Sequence, residues 1–375
     1  MNVSCGAFHT LAVTASGHGF AFGQNKYGKL GIHYANSKDG DAQKVPVRIA
    51  LYKYHASSEP VKDKHDLLQA CAGFNHSLAL SKKGIAYSWG YRGKGLLGRS
   101  TEQSGLALPI GPGQGQPGFS HSFMIGQTSF IVGHKEGGGG EYAAGQNAQA
   151  KQDKDDDYGE HSVKQVSCGA VNTLALTSTG DVYVLGDNSY GQHGKEETPA
   201  KAGQGGGREG FGSSATISLI RFRCQAQDRI EYIACNGEHM FAKSALDEIY
   251  GWGRNDEGQL GVGYLTEKIV EPTSIKDLSY KGIRQISCGD NYSAALTIYG
   301  EVFVAGSLEG GKLGLGKGQK RGYQLNFRAI KNLPEIDYIA CGVQHMLAIS
   351  RYNPDTDPSG KPSKQTGKTY AWGKN

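Results

Sequence analysis

The stretch "VSCGAVNTLALTSTGDVYVLGDNSYGQHG", residues 166–194, decides how this chain is read, because the chain has already used it once. Residues 3–31 run "VSCGAFHTLAVTASGHGFAFGQNKYGKLG", with glycines and small apolar residues in the same register. Recurrence of a phrase is the mark of a repeat architecture. Working outward, six copies of its first run appear: "VSCGAFHTLAV" at 3, "ACAGFNHSLAL" at 70, "VSCGAVNTLAL" at 166, "IACNGEHMFAK" at 233, "ISCGDNYSAAL" at 286 and "IACGVQHMLAI" at 339. A second run follows each: "GFAFG", "IAYSWG", "DVYVLG", "EIYGWG", "EVFVAG" and "KTYAWG". In five copies a loop then closes on glycine, as in "QNKYGKLG" and "RNDEGQLG".

Spacing is stricter than identity. The first anchor of each copy is Gly6, Gly73, Gly169, Asn236, Gly289 and Gly342, and the second is Gly23, Gly90, Gly186, Gly253, Gly306 and Gly373. They stand 17 positions apart in five copies and 31 apart in the sixth, from 342 to 373. The closing glycines Gly31, Gly98, Gly194, Gly261 and Gly314 each lie 8 after the second anchor. Such anchors mark positive φ or close backbone approach, and Asn236 is the exception whose residue type best tolerates the left-handed region.

The first run reads as one strand of about ten positions, and the β-branched and aromatic second run reads as another. "TASG", "SKKG" and "TSTG" supply hairpin turns between them. Weaker strand candidates, "VPVRIA" (45–50), "EPTSIKDL" (271–278) and "FRAIKNL" (327–333), follow the closing loops. About four short strands per repeat specify an all-β fold, a β-propeller, here a single domain over residues 1–375.

The phrase Cys-Gly-x-x-His-x-x-Ala-Leu, continued by Gly-x-Val-Tyr-x-Trp-Gly-x-Asn-x-x-Gly-Gln-Leu-Gly, resembles the repeat of the regulator-of-chromosome-condensation family. "CGAFHTLAV", "CGVQHMLAI" and "YGWGRNDEGQLG" carry that resemblance nearly position by position. It implies a propeller of seven blades with each repeat shared between neighbours. Only six repeats are recognisable here, so the ring is expected to be completed by further chain, left open or covered at its edge by a partner.

The 96 positions from Gly73 to Gly169 exceed the 67 from Gly6 to Gly73 by 29. That excess is assigned to a polar, glycine-rich insert at 134–162, where Asp153, Asp155, Asp156, Asp157 and Tyr158 are the candidate partner contacts. Two more flexible inserts are read at 196–214 and 351–368.

Forty basic and 35 acidic residues leave a net charge of +5 with no dense Lys/Arg block, a poor footprint for nucleic acid. No apolar run is long enough to span a membrane, and residues 1–13 belong to the first repeat rather than to a signal peptide. The cysteines at 5, 71, 168, 224, 235, 288 and 341 are read as buried, reduced thiols, which favours a reducing intracellular compartment.

No catalytic, cofactor or metal site is assigned. Cys-x3-His recurs at Cys5/His9, Cys235/His239 and Cys341/His345, but a strand would hold such residues about 13 Å apart. "GKLGLGK" (311–317) begins like a phosphate loop but continues with Gly318 where a hydroxyl would hold Mg²⁺. Trp89, Trp252 and Trp372 share a position taken elsewhere by Phe22, Leu185 and Ala305, which is the behaviour of packing. The expected function is therefore a non-enzymatic protein–protein interaction scaffold, a subunit of a larger assembly. The resemblance implies two alternatives: guanine-nucleotide exchange on a small GTPase, and association with chromatin.

Overall fold

The computed structural model describes residues 1–32, 42–54, 60–91, 93–98, 108–109, 162–195, 217–316, 322–351 and 367–374. Their strands form a six-bladed β-propeller arrangement: five four-stranded antiparallel sheets and a sixth with three strands, each in simple sequential order. Blade 1 comprises Asn2–Cys5, His9–Val13, Gly19–Gly23 and Gln43–Arg48. Blade 2 comprises Leu67–Ala72, His76–Ser81, Ala86–Gly90 and Leu108–Pro109, and blade 3 Val163–Cys168, Asn172–Thr177, Val182–Gly186 and Ser218–Ile220. Blade 4 shows the same plan in Ile230–Asn236, His239–Ser244, Ile249–Arg254 and Lys268–Ser274. Blade 5 follows with Ile283–Cys288, Tyr292–Thr297, Val302–Ser307 and Tyr323–Ala329. Blade 6 has Ile336–Cys341, His345–Ser350 and Thr369–Gly373. Each blade is one contiguous stretch of chain, and six are found where the family resemblance implies seven shared ones.

The first run is not one strand but two. In blade 1 the chain reverses between Cys5 and His9, Cys5 pairs with Thr10 across the turn, and the Gly6 amide donates to the His9 carbonyl at 2.8 Å. The reversal needs residues without side chains near the hub. A Cβ on Gly73 would lie 2.8 Å from the Gly169 carbonyl oxygen, and one on Gly169 3.0 Å from that of Gly237. The first anchors thus allow close approach, whereas Gly90 (φ 107°) and Gly98 (φ 63°) represent the second and closing anchors, which all adopt positive φ. Asn236 does not serve as the left-handed residue. The following Gly237 (φ 56°) does, and the Asn236 Nδ2 instead donates to the Cys288 carbonyl of blade 5 at 2.9 Å.

Expected outer strands fall where the weaker candidates were read, shifted a few residues toward the N-terminus: Gln43–Arg48, Lys268–Ser274 and Tyr323–Ala329. They lie at the rim, half in water, so alternation there is weak and the sequence marks their bounds poorly. Leu51–Tyr54 and Pro60–Asp63 add a separate two-stranded hairpin that sequence reading did not foresee.

Five apolar clusters fill the spaces between consecutive blades, from blades 1 and 2 through blades 5 and 6. Second strands inside the arrangement, such as Tyr292–Thr297, are buried on both faces because a sheet packs on each side. Among the described residues, no hydrogen bond, ion pair or apolar cluster joins blade 6 to blade 1. The thiols follow this layout. All seven are free, and Cys168, Cys235 and Cys288 are buried, but Cys5 is exposed, against expectation. Cys168 donates to the Cys71 carbonyl of the preceding blade, and among the described residues no sheet stands in that position beside Cys5.

Candidate interaction face

The seams between blades are built from a recurring polar set, and this set explains the residues that looked chemical in the sequence. His9 of blade 1 pairs through Nε2 with the Ser77 hydroxyl of blade 2 at 2.8 Å, and Ser77 donates to the Lys29 carbonyl at 2.7 Å. His239, Ser293 and the Gln259 carbonyl repeat the arrangement between blades 4 and 5 at 2.8 and 2.7 Å. Burial pushes His9 and His239 down to about 3 and His76 to about 4, so all three are neutral at ordinary pH. Burial likewise raises the Cys235 thiol to about 12 and that of Cys341 to about 11, which removes thiolate character.

The reversal of the first run brings each Cys and His to opposite sides of one turn, closer than a single strand would allow. Even so, the described residues contain no group of three or more His, Cys, Asp or Glu able to hold a metal. The tryptophans are seam pieces. Trp89, Trp252 and Trp372 donate Nε1–H to the carbonyls of Lys29, Gln192 and Lys312 in the preceding blade at 2.9, 2.9 and 3.0 Å. Lys312, inside the loop that resembled a phosphate cradle, is buried, and its Nζ donates to Asn291 Oδ1 at 2.6 Å.

One column of the repeat escaped the sequence reading. The residue just before the inner strand's central apolar position reaches the next blade's backbone. Gln69, Gln165 and Gln285 bracket the peptide groups of Val166, Ile233 and Ile339, with Nε2 donating to the carbonyl and Oε1 accepting from the amide. Asn2 accepts from the Ala70 amide at 2.9 Å. Tyr232 does both with one hydroxyl, donating to the Ile286 carbonyl at 3.0 Å and accepting from its amide at 3.2 Å. The signal was present: a polar residue recurs there in a strand otherwise apolar inward.

With these groups committed to structure, chemistry toward other molecules falls to the ends of the blades. Turns between first and second strands and loops after third strands emerge at the same end and form one face. On blades 1 and 2 this face carries Phe8 and Phe74, 60% and 49% exposed, in an edge-to-face pair with centroids 6.2 Å apart. Lys29 lies 5.5 Å from the Phe8 ring centroid. Beside them the Tyr27 and Tyr91 rings meet at a tilt of 54° with centroids 5.0 Å apart, and Lys26 lies 5.1 Å from the Tyr27 ring centroid.

Farther round, the same face turns acidic. Arg254 is gripped by Glu238 at 3.0 Å and Asp256 at 2.8 Å, while Asp290 and Glu309 stand exposed. The anchors at Gly6, Gly23, Gly31 and their counterparts shape these turns and loops, and none of them presents a reactive group. Asp153, Asp155, Asp156, Asp157, Tyr158 and the 196–214 insert lie outside the described residues. The 351–368 insert lies between His345–Ser350 and Thr369–Gly373, and of it only residues 351, 367 and 368 are described.

The family profile of the RCC1-like domain matches residues 54–375, and that of the Regulator of chromosome condensation (RCC1) repeat matches residues 2–29. The chain belongs to the RCC1-like domain family. Its similarity to a human probable E3 ubiquitin-protein ligase, HERC6, is 31% identity over 76% of this chain, but that stretch is only 27% of HERC6. The Xenopus laevis Regulator of chromosome condensation is 25% identical over 97% of this chain and 81% of its own length. Among solved structures, yeast RCC1 (Prp20) bound to Kap60 superposes with a TM-score of 0.65 at 20% identity, covering 99% of this chain and 69% of that one. Human WBSCR16 does so at 0.62 and 21%, covering 100% and 81%. The RCC1-like reading of the repeat thus stands on both sequence and fold. Among the described residues no helix is long and apolar enough to cross a membrane.

Proposed function

We propose that this RCC1-like propeller is a non-enzymatic scaffold that binds a protein partner through the end face of blades 1 and 2. The exposed Phe8–Phe74 pair carries the reading. Two large aromatics packed edge-to-face in water beside Lys26 and the Tyr27–Tyr91 pair resemble the anchor of a protein interface, where aromatic residues dominate binding. The neutral histidines and the high-pKa thiols support the non-enzymatic part, because acid–base and nucleophilic chemistry need groups poised near neutrality. Purification of the endogenous protein followed by native mass spectrometry tests this. Stable co-purifying subunits that are lost with Phe8→Ala/Phe74→Ala are expected; a chain always recovered alone overturns the scaffold.

Guanine-nucleotide exchange on a small GTPase is the second reading, favoured by similarity to the Xenopus Regulator of chromosome condensation along nearly the whole chain. Release of labelled GDP from a GTPase panel separates the two. Acceleration of release from any GTPase assigns exchange activity, and a flat panel leaves the scaffold. The chromatin reading predicts DNA affinity falling steeply with salt, since phosphate contacts release counterions.

A further inference from the structure

Lys29 and Lys312 hold the same repeat position, two before the closing glycine, in blades 1 and 5. Both are buried, and both amines donate to an asparagine of the next turn or their own: Lys29 Nζ to Asn75 Oδ1 at 3.2 Å, Lys312 Nζ to Asn291 Oδ1 at 2.6 Å. Each lies near an aromatic ring, Phe8 at 5.5 Å and Tyr292 at 5.8 Å. Their electrostatic settings are opposite. Burial disfavours the charge on both amines, but Glu257, Glu309 and Asp290 support that of Lys312, whereas Lys26 opposes that of Lys29. The second acceptor of Lys29 is the neutral Gln24 Oε1 at 3.1 Å, and among the described residues no carboxylate pairs with Lys26 or Lys29.

The same division runs across the whole end face. In blades 1 and 2 its turns and loops read "GAFH", "GFNH", "QNKYGKLG" and "YRGKGLLG", without an Asp or Glu. In blades 4 and 5 they read "NGEH", "GDNY", "RNDEGQLG" and "SLEGGKLG", with five. The basic half is also the apolar half. Phe74 belongs to a blade with a sheet packed on either side and is still 49% exposed, so its exposure is a property of the turn.

We infer that the end face of blades 1 and 2 binds an acidic polypeptide segment, which lays a large apolar side chain on the Phe8–Phe74 pair and a neighbouring Asp or Glu carboxylate against Lys26. This rests on the scaffold reading of that face and names the chemistry of the partner. The apolar side chain removes aromatic surface from water. The carboxylate supplies Lys26 and Lys29 with the counter-charge that Lys312 already receives from blades 4 and 5. The acidic half of the face sets the direction, because it repels the same carboxylates and keeps them over blades 1 and 2. A nucleic acid fits less well: Lys94 is already held by Asp187 at 2.8 Å, and a polyanion would run on into the acidic half.

The test is selection of short random peptides displayed on phage against the full chain, then fluorescence anisotropy with the selected peptide carrying a dye. The selected sequences should place Asp or Glu beside Leu, Phe, Trp or Tyr. Lys26→Glu, at an exposed position, should weaken binding about fivefold or more, and exchanging the peptide's carboxylate for lysine should restore it on that variant. Phe8→Ala/Phe74→Ala should abolish binding, with circular dichroism reporting an intact fold. Basic or uncharged peptides that are lost with Phe8→Ala/Phe74→Ala would overturn the inference and leave the scaffold face standing. Acidic peptides indifferent to Lys26→Glu and to Phe8→Ala/Phe74→Ala would place binding elsewhere and overturn both. A library that yields no binder, or an oligodeoxythymidine that binds more tightly than any selected peptide, also overturns the inference.

Discussion

The openings of blades 4 and 6, residues 230–243 and 336–349, share eight of fourteen residues and meet different fates. In blade 4 the tyrosine, histidine and aromatic residue of the leading face disappear into blade 5, while in blade 6 their counterparts stand in solvent. The difference teaches that the repeated phrase encodes an adhesive as much as a sheet. One column supplies side chains that hold a neighbour's backbone, another supplies the imidazole–hydroxyl–carbonyl relay, and a third supplies the indole that reaches back to the preceding loop. Whether these groups are structural or exposed depends on the presence of the next sheet, not on their identity.

Acid should break the closed seams first. A histidine held near 3 in the folded chain and near 6.5 unfolded stabilises the fold fully above pH 6.5, and that stability is lost as pH falls toward the folded value. At pH 5 the loss is on the order of 2 kcal/mol for each of His9, His76 and His239. Urea melts from pH 7.5 to 5 should therefore show falling stability. His239→Gln should flatten the curve by about a third of the drop, and an unchanged slope would remove His239 from the account.

The tryptophans sharpen the comparison. Trp252 is fully buried between blades 3 and 4, whereas Trp372 in blade 6 is only partly covered. Trp252→Ala should cost about 3–5 kcal/mol and Trp372→Ala roughly half of that, read as midpoint shifts in urea. Equal losses would mean that blade 6 is packed on both sides in solution.

Smaller effects follow at the polar columns. Ser293→Ala leaves the His239 Nε2 and the Gln259 carbonyl without their shared hydroxyl and should cost about 1–3 kcal/mol. Tyr232→Phe should cost about 1–2 kcal/mol, while Tyr338→Phe stays within about 0.5 kcal/mol, because its hydroxyl is solvated. A Tyr338→Phe loss as large as that of Tyr232→Phe would place a covering sheet on blade 6.

Much of the fold was legible because glycine requirements are local. Gly90 and Gly98 must adopt positive φ whatever surrounds them, so their spacing recurs and can be counted. The turn inside Cys-Gly-x-x-His was missed for a related reason: Gly6 and Gly73 are needed for close approach between blades, and a hydrophobicity pattern cannot tell that from a strand continuing. The candidate face was scarcely legible. Phe8 and Phe74 lie in separate copies, 66 positions apart, and their edge-to-face contact follows only from placing blades 1 and 2 side by side. Gln165 looked like an ordinary polar strand residue until its partner, Ile233, was found 68 positions away.

By itself the sequence determined the sheet-forming unit, its number of copies and the places where the chain must turn, because torsional preference and alternation are properties of a few consecutive residues. The tertiary structure alone decided which histidines are neutral, which thiols are inert and which tyrosine faces water. Those outcomes are set by desolvation and by hydrogen bonds to backbone lying 52 to 97 positions away, as from Asn236 to Cys288 and from Gln69 to Val166. A chain position acquires such an environment only when a neighbouring blade is in place.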